Sequence, residues 1–505
     1  MTIFDYVINN INTDGKFTAA TLPDDLAPTV PRPLGTEDAY YYTTEVPPDV
    51  EGAERALELV KQYMVMPCLE SRRRLYDYIC SIITAGICDP FLDGFPREEF
   101  TPELLKLGRE LFYGAANREP VKFAYLLFGL YGMERLHDAD AKLWEDMVSV
   151  ARCEEFTFFF LYACRITEYA PQQEIWQLIH CTNSWGRVYA INEAAFDSAE
   201  KRQWLIENGY DITIEYPPLA VKIITEGRLA EVLQKEHITY AEYKGAAATL
   251  NNMLLLLNNF SADVLEENFK LSLLDVNGLL TGFLHHAKEY AAAPADILDV
   301  MAISISLRNM ADIENWSRLT ANQCHTLIAA CDKIIYQKDW QAEIDAELFK
   351  DGRVNYTMCD FAFELEMDIW PRLFAWFKEH PLEIKLLPYL LSYEGEERSR
   401  QVLDVIERNL YSYLPDQNAL LIPLRYLRHH PGEGVAIVIA ALTSLYDWPR
   451  GIACTLLEEW GPEYLTTPIR SALLTARSLS QHPVVNARID ALLIGKEYNI
   501  GDAVE

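Results

Sequence analysis

Apolar residues in this chain return at three- and four-residue intervals from about residue 53 onward. Ala56, Leu57, Leu59, Val60 and Tyr63 form one such set, and Leu75, Tyr76, Ile79, Ile82 and Ile83 another. That period places them on one face of a helix. Start signals agree: Thr101-Pro102 sets a capping residue before a proline at the first helical position. Asp197 with Glu200, and Thr320 with Gln323, have capping-box spacing. Strand-like alternation is scarce, with Asp211 to Tyr216, bounded by Gly209 and Pro217, as the best short candidate. The pattern predicts a nearly all-α chain of helices about 10 to 18 residues long, arranged as a bundle or a solenoid. The C-terminal third favours the solenoid, because Pro415, Pro423, Pro431, Pro449, Pro462, Pro468 and Pro483 punctuate a run of short amphipathic segments.

The first 50 residues read differently. A short amphipathic start (Phe4, Tyr6, Val7, Ile8, Ile11) meets the turn signal Asp14-Gly15. Pro23, Pro28, Pro31, Pro33, Pro47 and Pro48 then follow, with Tyr40, Tyr41 and Tyr42 among them. Proline at that density opposes a regular helix. So many aromatic residues argue for an extended arm docked on the body rather than a free tail. The expected organisation is an arm over residues 1–50, a helical region over 51–300 and a second helical region over 301–505.

Two stretches carry family patterns. His482-Pro483-Val484-Val485-Asn486-Ala487-Arg488-Ile489-Asp490-Ala491-Leu492 resembles the second helix of a HEAT repeat, and Pro431 to Leu442 is a looser copy. The resemblance covers roughly 380–495 and implies an α-α superhelix of HEAT or armadillo type, with no statement about function. Trp204 to Ile212, Pro217 to Lys222 and Glu226 to Leu233 together resemble one degenerate ankyrin unit near 198–236. In it, Asn208-Gly209 would end a helix in the left-handed conformation, and Gly227 would allow the tight turn between paired helices. It departs from the family where Pro218-Leu219-Ala220 stands. Finally, His180-Cys181-Thr182-Asn183-Ser184-Trp185-Gly186-Arg187-Val188-Tyr189-Ala190, with Asn12 to Phe17, resembles bacterial helical-repeat proteins, some of which carry a limonene hydroxylase label.

Charge narrows the partners. With 75 acidic against 44 basic residues the net charge is −31, which argues against nucleic acid or an anionic membrane, since phosphate attraction needs a basic face. No apolar run is long enough to span a bilayer. The start of the chain has neither a basic n-region nor an apolar h-region, so a cytoplasmic location is expected. None of the ten cysteines stands in a Cys-x-x-Cys pair. Cys80, Cys164 and Cys331 lie in apolar helical surroundings, the setting of buried free thiols.

Chemistry is hard to find. The hydroxylase label would need an oxygen-activating cofactor, yet no cysteine has a haem-thiolate setting and Gly432-Glu433-Gly434 follows no strand. Glu134 to His137 is a lone Glu-x-x-His pair. No cofactor is expected. Asp360, Glu364 and Asp368, spaced i, i+4, i+8 with Glu366 nearby, would share one helix face. They are the candidate acidic face for a metal or for acid–base work, against a solvated surface as the plainer reading. His285-His286 and His429-His430 sit near helix ends without a third ligand in sequence. Arg72, Arg73 and Arg74 form the main basic cluster, with Arg425 and Arg428 a lesser one; they are salt-bridge partners or a grip for a phosphate.

These readings favour a non-catalytic helical-repeat protein that binds another macromolecule, more plausibly a basic protein than an acidic one. An immunity-like protein blocking a basic toxin is one concrete form. Trp185, Arg187 and Tyr189 are the candidate interface residues, since these types dominate binding energy when exposed; packing between repeats is their alternative use. The competing class is an enzyme with an unrecognised site, including the hydroxylase label.

Overall fold

The computed structural model describes residues 1–25, 32–43, 46–269, 274–311, 319–392, 395–416, 418–480 and 483–496; His482 of the HEAT-like stretch lies outside them. Within these residues the chain is almost entirely α-helical. The helix Val50–Val65 shows why. Asp49 accepts the Gly52 N–H at 2.8 Å and caps the N-terminus, while Ala53, Ala56, Leu57 and Val60 turn inward and Glu51, Glu54, Glu58 and Lys61 face water. The capping box expected at Thr320 and Gln323 is present, and a second one stands at Thr239 and Glu242. At 197–200 the cap shifts by one residue: Ser198 accepts the Lys201 N–H, and Asp197 pairs with the Lys201 ammonium at 2.9 Å instead.

The chain divides into two units, Met1–Lys338 and Asp339–Glu505. The first runs past residue 300 because helix Pro294–Ala311 packs on both Tyr240–Asn259 and Ala321–Ile335. In the second unit two successive helices each pack on the next and on the next but one. Leu421–Leu427 touches Val435–Leu442 and Asp447–Trp460, and Val435–Leu442 touches Asp447–Trp460 and Thr467–Leu479. Side-chain hydrogen bonds repeat with the same step. The Trp460 indole donates to the Leu427 carbonyl 33 residues back at 2.8 Å, Tyr446 to Pro415 O over 31 residues at 3.2 Å, and Ser480 to Asp447 over 33 at 2.6 Å. The first unit has a like step, with Trp144 donating to Glu174 over 30 residues at 3.0 Å and Tyr113 to Asp146 over 33 at 2.9 Å. A step of about 30 residues is long enough for two short helices with their turns.

Several local expectations are corrected. The arm is not wholly extended: it holds helix Ile3–Asn9, seated on Pro102–Gly114 and Ala141–Val150, and helix Thr36–Thr43, seated on Thr84–Gly94 and Glu154–Arg165. The prolines gather at 23–33 and 47–48, and the proline-free window between them is where the second helix forms. Asp211 to Tyr216 forms no strand; the one strand pair among the described residues is Phe349–Lys350 with Arg353–Val354, turned by Asp351-Gly352, both at positive φ. In the ankyrin-like stretch Gly209 (φ −58°) and Gly227 (φ −71°) are right-handed, and Arg228 takes the left-handed position at φ 55°.

Gly245 is set by packing. It lies inside helix Tyr240–Asn259, and a Cβ there would stand 1.9 Å from the Ile206 carbonyl oxygen of helix Ala199–Asn208. Glycine to alanine inside a helix ordinarily gains about 1 kcal/mol. Here the clash with backbone reverses the sign, and Gly245→Ala should cost about 3 kcal/mol. Gly114→Ala, at a helix end with nothing within 4 Å of the added carbon, should be neutral or stabilising. Denaturant midpoints of the two variants, measured beside the wild type, test the contrast.

Candidate functional site

The arm is held by buried charge. Helix Arg118–Tyr131 is apolar from Val121 to Leu130 except for Lys122, whose side chain is 1% exposed. Its ammonium lies 2.8 Å from a carboxylate oxygen of each of Asp38, Glu119 and Glu155. One turn earlier, Arg118 reaches Asp24 at 3.1 Å and Glu155 at 3.2 Å, and also touches Asp25. Backbone donors complete the set: Gly35 N–H gives to Glu155 at 2.8 Å and Thr84 N–H to Glu119 at 2.7 Å. Asp24, Asp25, Gly35 and Asp38 come from the arm, and the rest from three body helices.

Burial alone would pull the Lys122 ammonium down. The surrounding carboxylates win, and it stays charged with a pKa well above its ordinary value. Burial also opposes ionisation of Glu155, but Lys122 and Arg118 hold its carboxyl down at about 2. Asp38 goes the other way. Burial, with Glu155 and Glu119 close by, outweighs the attraction of Lys122 and pushes its carboxyl well above the usual range. The same cluster thus holds the Glu155 carboxyl down and lets burial push that of Asp38 up. Arg118-Glu119-Pro120-Val121-Lys122, opening an otherwise apolar helix, was the available sequence signal; its partners in the arm were not visible because they lie 84 to 94 residues away.

Next to this lock, Glu154 receives the N–H groups of Asn183 at 2.8 Å, Ser184 at 3.0 Å and Gly186 at 3.1 Å, and the Ser184 hydroxyl as well. It caps helix Trp185–Glu193 from outside, with its charge at the favourable end of the dipole. That helix carries Trp185, Arg187 and Tyr189. Trp185 donates to the Thr36 hydroxyl of the arm at 3.2 Å and meets Tyr216 edge-on. Arg187, 8% exposed, gives to the Asn208 carbonyl at 3.2 Å, faces Asp211 at 3.4 Å and lies over the Trp204 ring. Tyr189 packs on Phe158 and Trp185 with its hydroxyl buried. All three side chains are engaged in packing within the first unit.

The carboxylates of the acidic stretch do not share a helix face. Helix Tyr356–Glu364 ends at Glu364, and Glu366 turns left-handed at φ 55°. Asp368 lies in the loop beyond, where it accepts the Trp370 N–H at 3.2 Å and is paired with Arg398, which holds its carboxyl below the usual range. Asp360 takes the Tyr389 hydroxyl, and Glu364 is exposed. Among the described residues no three His, Cys, Asp or Glu side chains converge as a metal site would require. Arg72, Arg73 and Arg74 are paired with Glu110, Asp77 and Glu70. His137 is taken up by the Tyr169 hydroxyl at 2.6 Å and the Trp144 ring; His286 is buried against Leu233 O, and His430 stacks on Tyr426. All ten cysteines are free, and seven are buried.

What the second unit leaves uncovered is an apolar edge. Tyr411 is 90% exposed and Leu445 82%, with Trp448 and Tyr446 partly exposed beside them. The Tyr446 hydroxyl bond to Pro415 O ties the turn that carries Leu445 and Tyr446 to the segment just after helix Leu410–Tyr413, and this tie marks the rim.

The ionic lock makes a signed pH prediction. Glu155 has a folded-state pKa below its ordinary 4.5, so its contribution is full above pH 4.5 and fades as pH falls toward about 2. Glu155→Gln should therefore cost about 3 kcal/mol at neutral pH, and the gap to wild type should close on acidification. Asp38 has a raised pKa and works against stability as pH climbs above its ordinary value. Asp38→Asn should be at least as stable as wild type at pH 7 to 8. Lys122→Met, which strands the carboxylates, should lose about 3–5 kcal/mol. Equal pH profiles for the two acid variants would refute the assignment. Comparison of the chain with protein-family models, with curated proteins and with solved structures gives no match.

Proposed function

We propose that this is a non-catalytic helical-repeat protein whose stacked hairpins form an α-α superhelix of HEAT or armadillo type, and that it binds another, basic protein. The recurrent step of about 30 residues in both units supports the repeat reading. The observation that carries the binding reading is the rim at Tyr411, Leu445, Tyr446 and Trp448. A tyrosine and a leucine left almost wholly in water, with a tryptophan beside them, are the kind of anchors that dominate association once covered. Acidic residues outnumber basic ones in both units, and exposed Asp416 follows Pro415 on the rim itself, so a basic surface is the complementary one. Capture of a basic toxin, as an immunity-like protein would perform, gains speed from such a field. Ten free thiols suit a reducing cytoplasm; no helix among the described residues is long and apolar enough to cross a membrane.

The full-length chain, immobilised and exposed to an extract of the cells that make it, should retain one or more basic proteins. The triple variant Tyr411→Ser, Leu445→Ser, Trp448→Ser should lose them while keeping the wild-type melting temperature, and raised salt should slow association with the purified partner. Identical sets of retained proteins on the wild type and the triple variant would overturn the reading.

A further inference from the structure

On the first unit lies a cleft of about 460 Å³ between the arm and the body. It brings together the two stretches singled out in sequence, Asn12 to Phe17 and His180 to Tyr189. Three cations line it: Lys16 from the arm turn, Arg32 from the arm ahead of helix Thr36–Thr43, and Arg152 from the turn that precedes helix Glu154–Arg165. The single carboxylate in the lining, Glu154, already receives three backbone N–H groups and a hydroxyl at the helix end. None of the three cations is paired with a carboxylate among the described residues, although nearly every other guanidinium of the first unit is.

Arg152 is the informative member. It is half-buried, and its Nε is shielded from water without a hydrogen-bond partner. Its guanidinium is pressed close to the arm turn: at Gly15, where φ is 76°, a Cβ would stand 3.0 Å from Arg152 Nη1 and 3.4 Å from the Cys181 sulfur. A guanidinium N–H shielded from water without an acceptor is costly unless something supplies one. In a chain of net charge −31 such an island is also improbable as a by-product of composition. Phe17, Ala19, Ala20, Pro33 and Leu34 add apolar surface to the lining. The volume falls in the range of sites for small organic molecules.

We infer that this cleft binds a small organic phosphate, with the phosphate between Lys16, Arg32 and Arg152 and the apolar body against Phe17 and Leu34. Guanidinium groups match phosphate oxygens in a bidentate manner, and Lys16 adds a point charge from the arm. The exposed Asn183 side chain at the rim offers a further donor. Because the arm contributes Lys16 and Arg32 and the body Arg152, occupancy also fastens the arm to the body, so ligand and arm docking stabilise each other.

Isothermal titration of the full-length protein with phenyl phosphate tests this, with phenol as the same ring lacking the anion. One saturable site for phenyl phosphate and none for phenol is expected. Lys16→Gln and Arg152→Gln should each weaken binding about tenfold or more. Arg73→Gln, whose side chain is exposed on another helix and paired with Asp77, should leave it unchanged. Lys16 is exposed on a turn, so its variant keeps the test valid even if Arg152→Gln folds poorly. Absence of saturation up to about 10 mM phenyl phosphate, equal binding of phenol, or equal weakening by Arg73→Gln would each overturn the inference. The capture experiment on the rim is independent of all these outcomes.

Discussion

A single ammonium decides how the first unit is assembled. Lys122 stands inside an apolar helix where an unpaired charge could not be kept, and its counter-charges come from three directions: its own helix, the helix that opens at Glu154, and the arm. Taking a cation out of water is repaid only when every partner is in place. The arrangement therefore works as a specificity device more than as a source of net stability. An arm seated one turn out of register would leave Lys122 short of Asp38, and Arg118 short of Asp24. Apolar contacts alone, such as those of Ile3 and Val7 on the helices beneath them, tolerate sliding far better.

Beyond the arm, helices of the second unit such as Leu421–Leu427 and Val435–Leu442 each pack on more than one neighbour, and polar side chains bridge segments about 30 residues apart. The Trp460 indole on the Leu427 carbonyl and the Tyr446 hydroxyl on the Pro415 carbonyl satisfy backbone acceptors at helix ends, which would otherwise stay open. In the second unit the prolines sit at or beside these ends, where a missing N–H costs nothing. In the same unit Tyr411, Leu445 and Trp448 are left in water.

Much of this was legible in the sequence. Helical periodicity, the Thr320–Gln323 cap, the proline-opened helix at 483 and the buried thiols Cys164 and Cys331 all follow from local rules, and the structure agrees with them. Misreadings arose where a local rule met a non-local one. Proline density over the arm hid the short window that forms helix Thr36–Thr43. Gly209 was read as a left-handed stop, yet its lack of a side chain serves the close approach of Ile223. Asp360, Glu364 and Asp368 have helical spacing, but the helix ends before the third. The ionic lock was out of reach because its members are dispersed from Asp24 to Glu155. Lys16, Arg32 and Arg152 were unremarkable one by one for the same reason: only the folded arm makes them neighbours.

The separation of the lock's partners also sets an order of events during synthesis. The arm leaves the ribosome ahead of the body, but Lys122 follows Asp38 by 84 residues and Glu155 follows Gly35 by 120. Until that later stretch has emerged and folded, the arm has no charge to answer and no surface for Ile3, Val7 or Tyr42 to cover. Long-range closure of this kind is slow compared with forming the helices themselves. The arm is thus made before the surface that holds it and fixed in place only after it, and its apolar face is open to chaperones, or to unwanted association, for the whole interval.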